Sequence, residues 1–540
     1  MTLQKTGITQ HPILKKAYTT LVAITLTGMC GTAMAKVLPD YQMTSPWFTE
    51  AQASVKNKVS ASKDLGHAKN VILFVGDGMG ISTLTAARIL DGQQKGMLGE
   101  ENYLSFERYP NTALIKTYNT NQQTPDSAGT MTAMVTGVKT RAGVLNIAPD
   151  ALRADCASSK GRELTTLFEY AEAQGLSTGV VTTARLTHAT PAATYAKTSE
   201  RNWESDDKLT DEAKMNGCKD IATQFVEFGT QPGQGDGIDV AFGGGRRHFI
   251  SNNAIDNEGK KGKRTDGQNL IDLWKARTGG VYVEDQNSFN AIADDADKVL
   301  GLFNSSHMQY ESDRGNDKSG EPSLIEMTAK AVQLLENRST KTGKGYVLVV
   351  ESGRIDHAHH AGNAYNALED TIEYSEAIDT AQKMVSDDTL IMVTADHSYV
   401  FTIAGYPQRG NPILGKVKVS GTDEHGLPKS IPDLALDNKP YTTLSYGNGL
   451  GYRNLGQETD ADAAYDADPE AGRRDISAID TTQPGFHQEA LVPLDSESHA
   501  GEDVSLHAMG PGSAYVQGVM EQNAVFHVIN KALGLEVMAK

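Results

Sequence analysis

Ser127 lies in the stretch Thr124-Pro-Asp-Ser-Ala-Gly-Thr130, directly after a carboxylate and at the front of a helix predicted to run to about Thr136. A serine in that place sits among unpaired backbone N–H groups at the positive end of the helix dipole. Such surroundings stabilise an alkoxide on the serine and an anion such as phosphate bound beside it. Asp-Ser before a helix is equally an ordinary N-cap, so this motif alone does not make a nucleophile. The case rests on acids and histidines elsewhere. Asp77 stands in Gly76-Asp-Gly-Met-Gly80, Glu351, Asp356 and His360 in Glu351-Ser-Gly-Arg-Ile-Asp-His-Ala-His-His360, and Asp396 and His397 in Thr394-Ala-Asp-His397. Asp356 and His360 are four apart, so both face one ion if a helical turn begins there. Histidine with Asp or Glu suits zinc, whereas carboxylate, hydroxyl and water oxygens suit magnesium.

Three apolar runs must position these groups. Asn70–Val75, Gly345–Val350 and Thr389–Val393 each read as a buried parallel strand. Each delivers carboxylates or imidazoles at its C-terminal end, where open α/β sheets bind ligands. One glycine-flanked aspartate is more readily a capped turn. Three such strands are hard to explain by packing, because buried acids are costly unless paired or bound to metal. A helix is predicted from about Ser82 to Leu90, and further strands at Thr178–Thr183, Ile238–Phe242 and Val504–Met509. This alternation predicts one large three-layer α/β/α domain over residues 36–540, with a long, mostly parallel sheet and no dividing linker. Gly405–Asp495 is rich in Gly, Pro, Asp and Lys and lacks helical periodicity, which reads as an insertion between His397 and His499. The polar segment Lys36–Lys69 reads as an N-terminal arm or helix.

With these residues in view, the chain resembles the alkaline phosphatases from about Asn70 to Leu533. GDGMG, PDSAGT, THATPAATYA, RNW, ESGRIDHAHH, TADHSYVF and SHAGEDV all occur, in the family's order. His188 and His357 stand where the enteric bacterial type carries Asp and Lys, which is similar to the animal-type branch. The resemblance implies a phosphomonoesterase working through a phosphoserine on Ser127, with two zinc ions and one magnesium per subunit. It assigns Asp356, His360 and His499 to the first zinc, and Asp77, Ser127, Asp396 and His397 to the second. Magnesium falls to Asp77, Thr190 and Glu351, with His188 reaching it through water. Arg201 is the implied grip on the phosphoryl oxygens, oriented by Asp126. A planar guanidinium holds two such oxygens at once. Gly405–Asp495 matches the family's crown, which implies a homodimer. Glu258, Phe303 and Glu321 fall near a calcium-type fourth site of the animal enzymes, but Asn304 replaces a carboxylate, and the sequence leaves that site open.

The N-terminus reads as an export signal. Lys15-Lys16 precede an apolar stretch from about Leu21 to Met34, and Ala33-Met-Ala35 is a small-x-small cleavage site. The apolar core is too short for a membrane anchor, and Met29 before Cys30 does not suit a lipobox. A periplasmic or secreted enzyme is expected after cleavage near Ala35. Two cysteines then remain, Cys156 and Cys218. An even count in an exported chain favours one disulfide, and both positions match a cystine in the animal-type branch. The formal charge of −18 becomes −21 once the three lysines of residues 1–35 are removed. That argues against nucleic acid or an anionic membrane as the main partner. Acidic runs such as Glu458–Asp468 read as solvated loop.

Two rival functions are weighed. A phosphodiesterase or sulfatase of the same metal fold is the nearest; sulfatases need a Cys/Ser-x-Pro-x-Arg setting, which is absent around Ser127. The other is an exported binding protein that has lost activity, against which the full set of nucleophile, arginine and ligands argues.

Overall fold

A computed structural model describes residues 38–59, 66–231, 235–457 and 473–535. The expected signal peptide, Cys30 and the whole acidic run Glu458–Asp468 lie outside the described residues. The described chain belongs to one compact unit.

Eight strands are labelled in chain order: β1 (Asn70–Gly76), β2 (Asn111–Lys116), β3 (Ser177–Arg185), β4 (Val240–Gly244), β5 (Val281–Val283), β6 (Val299–Leu302), β7 (Tyr346–Ser352) and β8 (Thr389–Ala395). With Val504–Met509 and Gly518–Glu521 they form a ten-stranded sheet in the order Gly518–Glu521, β2, Val504–Met509, β8, β1, β7, β3, β4, β6, β5. Only Val504–Met509 runs against its neighbours, β2 and β8; the other pairings in the sheet are parallel.

β1, β7 and β8 are buried along their whole length. Burial on both faces is why they read as continuous apolar runs rather than alternating ones. Helices Ile81–Gln94, Leu324–Thr342 and Ala364–Met384 pack together in one group, and Pro46–Val59, Ser127–Thr136 and Ala524–Leu533 in another. The first of these helices runs one turn beyond the predicted Leu90. The arm before β1 is helical and docks through Phe48, whose ring lies 6.1 Å from Phe526 and 4.6 Å from His527.

Register places the chemistry. Val75 of β1 pairs with Glu351 of β7, which pairs in turn with Thr182 of β3, and Gly76 pairs with Ala395 of β8. Asp77, Glu351 and Asp396 therefore emerge at the same edge of four adjacent strands. The sequence placed Glu351 just past its strand; the strand in fact includes it and ends at Ser352. Between 405 and 495 the described residues contain no helix, only short strands such as Lys418–Thr422 paired with Pro428–Pro432.

Candidate active site and metal centres

Ser127 is the first residue of the helix Ser127–Thr136, which ends at Gly137 with φ +77°. Asp126 is its N-cap, with Oδ1 accepting from Gly129 N–H at 3.1 Å. The serine is 2 % exposed. Its Oγ lies 3.1 Å from His397 Nε2 and 3.5 Å from Asp77 Oδ1. The cap's other oxygen, Asp126 Oδ2, accepts from Gly143 N–H at 2.9 Å and from Arg201 Nη1 at 3.1 Å. Burial alone would raise the Asp126 carboxyl; Arg201 and the two backbone donors hold it below its ordinary value. Conversely, burial works against the Arg201 charge and Asp126 more than restores it.

On the other side of the serine, acids and imidazoles converge. Asp356 and His360 share the helix Arg354–His360, the turn their spacing anticipated. Asp356 Oδ1 lies 3.6 Å from His360 Nε2 and 3.5 Å from His499 Nε2. The two Nε2 atoms are 3.2 Å apart. His360 Nδ1 meets the Glu497 carbonyl at 2.7 Å, and His499 Nδ1 the Pro125 carbonyl at 2.8 Å. A carbonyl only accepts, so each Nδ1 carries the proton and both Nε2 lone pairs face one point beside a carboxylate. Fixing a ligating histidine through its second nitrogen is the usual support of a metal site. Tyr399, in turn, donates its hydroxyl to Asp356 Oδ1.

Asp77, Asp356 and His397 make a second group, and Asp77, His188 and Glu351 a third. His397 Nε2 lies 3.3 Å from both Asp77 Oδ1 and Asp396 Oδ2. Asp396 is also held by Thr130 Oγ1 at 3.2 Å and Gly78 N–H at 3.0 Å. Gly78 has φ +71°, and a Cβ there would meet the Tyr399 ring at 2.3 Å, so this position of the turn admits only glycine. Glu351 accepts a bond from the Thr182 hydroxyl, and Thr190 lies beside it.

Burial, with Asp356, Asp396 and Glu351 close by, pushes Asp77 well above the usual carboxylate range. Burial likewise raises Glu351 to about 7. Asp77 Oδ2, Glu351 Oε1, Thr190 Oγ1 and His188 Nδ1 are buried without a hydrogen-bond partner. Orphaned acceptors among crowded acids are costly unless a cation lies among them. The donor set thus fits metal ions: nitrogen-rich around His360 and His499, oxygen-rich around Glu351 and Thr190.

The serine, the arginine with its aspartate, and the zinc- and magnesium-ligand candidates named from the sequence are at this edge. One neighbour was missed. His307, in the loop after β6, joins His188 and His357 in a cluster of three imidazoles and contacts the Arg185 guanidinium. No motif surrounds it, so nothing in the sequence marked it. In the calcium-type set, Glu258 is bound by Arg246 at 2.8 Å, while Glu321 accepts from Gln309 N–H at 2.6 Å and from Asn304 Nδ2 at 3.4 Å. Cys156 and Cys218 form a disulfide, with Cα atoms 6.1 Å apart.

Fold and site together define an α/β protein with clustered metal-ligating side chains around a buried serine at a helix N-terminus, beside an Asp126–Arg201 pair. Likeness to known proteins narrows this. The alkaline phosphatase family model matches residues 68–535. The chain is 40% identical to the tissue-nonspecific alkaline phosphatase isozyme of Homo sapiens, over 92% of this chain and 90% of that one. It is 39% identical to an alkaline phosphatase of Gadus morhua, over 89% and 95%. Among solved structures, the Thermus thermophilus alkaline phosphatase superposes with a TM-score of 0.58 at 26% identity, covering 93% of this chain and 96% of that one. The chain belongs to the alkaline phosphatase family and is a metal-dependent phosphomonoesterase.

Proposed function

We propose that Ser127 is the nucleophile of this phosphomonoesterase and that two zinc ions and one magnesium ion serve it. Asp356, His360 and His499 would hold the first zinc, and Asp77, Ser127, Asp396 and His397 the second. Asp77, Thr190 and Glu351 would hold magnesium, with His188 acting through water. When bound, the ions supply positive charge that favours the serine alkoxide and the departing alkoxide. The observation that carries this reading is Ser127 Oγ at a helix N-terminus, within 3.5 Å of His397 and Asp77 and beside the Asp126–Arg201 pair.

Ser127 Oγ attacks phosphorus in line, forming the Ser127 O–P bond as the ester O–P bond breaks. Arg201 binds two equatorial oxygens, and the first N–H groups of the helix face the same charge. The alcohol leaves on the side of His360 and His499, toward a cavity of about 630 Å³ lined by Gln122, Gln123, Thr124 and Ser496. Water then attacks the phosphoserine from that vacated side, so two displacements retain configuration at phosphorus. Glu351 lies beside Thr182 and Thr190, so its charge serves to order the solvent that accepts the serine proton.

Three further readings belong with this one. The chain is an exported enzyme, periplasmic or secreted, cleaved near Ala35; among the described residues no helix is long and apolar enough to cross a membrane. Residues 36–540 form one domain with 405–495 as its crown. The crown pairs two subunits, supported by exposed Tyr406, Leu436 and Leu491 on its surface. Turnover of aryl phosphate monoester, diester and sulfate by zinc- and magnesium-loaded protein tests the activity. Monoester is expected to dominate; faster turnover of the diester would replace this reading with a phosphodiesterase.

A further inference from the structure

Arg201 sits in a turn closed by the side-chain carboxylate of the residue before it, Glu200. Arg153 grips that carboxylate with two bonds, Nε to Oε2 at 2.8 Å and Nη2 to Oε1 at 3.0 Å. Glu200 Oε1 also accepts the N–H of Asn202, beyond Arg201, at 3.0 Å. A carboxylate that reaches over the next residue to the following N–H closes the backbone around Arg201. The Arg153 guanidinium also covers Gly143, where an added Cβ would lie 2.2 Å from Arg153 Cζ. The Gly143 peptide group is itself the link between Asp126 and Arg201. Its N–H donates to Asp126 Oδ2, and its carbonyl accepts from Arg201 N–H at 2.9 Å.

Two observations show that the Arg153 loop is held to this turn deliberately. Ala154 adopts φ +59°, a left-handed conformation unfavourable for a residue with a Cβ. Its N–H is spent on the Ser199 carbonyl at 2.8 Å, one residue before Glu200. Two residues further on, Cys156 packs with Trp203 and carries the disulfide to Cys218. The loop 153–156 therefore meets the segment 199–203 through a hydrogen bond, a two-point ion pair and an apolar contact.

We propose that Arg153 and Glu200 are positioning residues that preset the Arg201 guanidinium for the phosphoryl group. This rests on the reading of Arg201 as the phosphate-binding arginine. In this reading both act through Arg201 rather than on the substrate itself. Arg153 acts by keeping Arg201 and Asp126 aligned before substrate arrives, which lowers the ordering cost of binding.

The test is a cycle of Arg153→Ala, Glu200→Gln, Arg201→Ala and the double variants with Arg201→Ala, on metal-loaded enzyme. KM for an aryl phosphate and Ki for inorganic phosphate are expected to rise together, about five- to tenfold, in Arg153→Ala and Glu200→Gln, while kcat changes far less. In the Arg201→Ala background neither change should add anything. Arg153→Lys should restore little, because an ammonium cannot make the paired contact. Unchanged KM and Ki in the single variants, or a full further rise on top of Arg201→Ala, would overturn the proposal. If Arg201→Ala itself left phosphate affinity intact, the underlying role of Arg201 would fall first, and visibly so. Glu200→Gln preserves shape, so it carries the measurement should Arg153→Ala not fold.

Discussion

Three of the carboxylates beside Ser127 stand on strand ends, whereas the arginine stands on a loop. Asp77, Glu351 and Asp396 leave β1, β7 and β8 at one level because adjacent parallel strands share a register. Their backbone is buried in the sheet and has little freedom to move. Arg201, by contrast, belongs to a turn, and its place is set by side chains: Asp126, Glu200 and Arg153. His499 is intermediate, on a two-residue strand paired with Ser398–Tyr399. The difference teaches where each kind of binding should be fragile. On the proposed assignment, removing a strand-end carboxylate should take away a metal ligand and leave the scaffold intact. Breaking one of the ties in a loop leaves the binding group present but misplaced.

The predictions sharpen that contrast in descending order of effect. Removing metal with a strong chelator should abolish activity, and zinc should restore it where magnesium alone does not; persistent turnover in metal-free protein would contradict the account. His499→Ala should weaken zinc at one site by about 10–100-fold or more, since three protein ligands leave none to spare; metal titration of the purified variant reads this. Glu351→Gln should release magnesium and slow phosphoenzyme formation about tenfold or more while sparing phosphate binding, and Arg201→Ala should show the opposite bias. Single-turnover kinetics with metal analysis on both variants separates the two sides of the serine. If Glu351→Gln kept its magnesium and its phosphorylation rate, the third group would not be a magnesium site. Replacing Cys156 and Cys218 with serine should cost about 2–4 kcal/mol of stability through the loop it frees, with kcat little changed; thermal or denaturant unfolding measures it.

What could be read from the sequence divides along the same line. The strand-end groups were legible because buried parallel strands are continuous apolar runs, and a charged residue closing such a run stands out. The helix Ser127–Thr136 was legible at its start, from Asp126 as cap, and the structure ends it at Gly137. Asp356 and His360 were legible from spacing alone. Arg201, Thr190 and His499 carry no such local mark and came from the family resemblance. His307, and the Arg153–Glu200 pair, were not found at all. Each lies in a loop whose conformation depends on contacts distant in sequence, such as Ala154 with Ser199. The small sheets of 405–495 were missed for a different reason: Lys418–Thr422 is largely exposed and lacks the apolar alternation that marks a strand.

The central claim is that the strand-end groups and the loop-borne arginine serve one nucleophile, Ser127. The direct measurement is to quench metal-loaded enzyme in acid during turnover of a labelled phosphate monoester and to map the labelled peptide. The account predicts one phosphoseryl residue, Ser127, absent from a folded Ser127→Ala variant whose activity has fallen by about 10⁴-fold or more. Label on any other residue, or a Ser127→Ala variant that still forms phosphoenzyme, would contradict it.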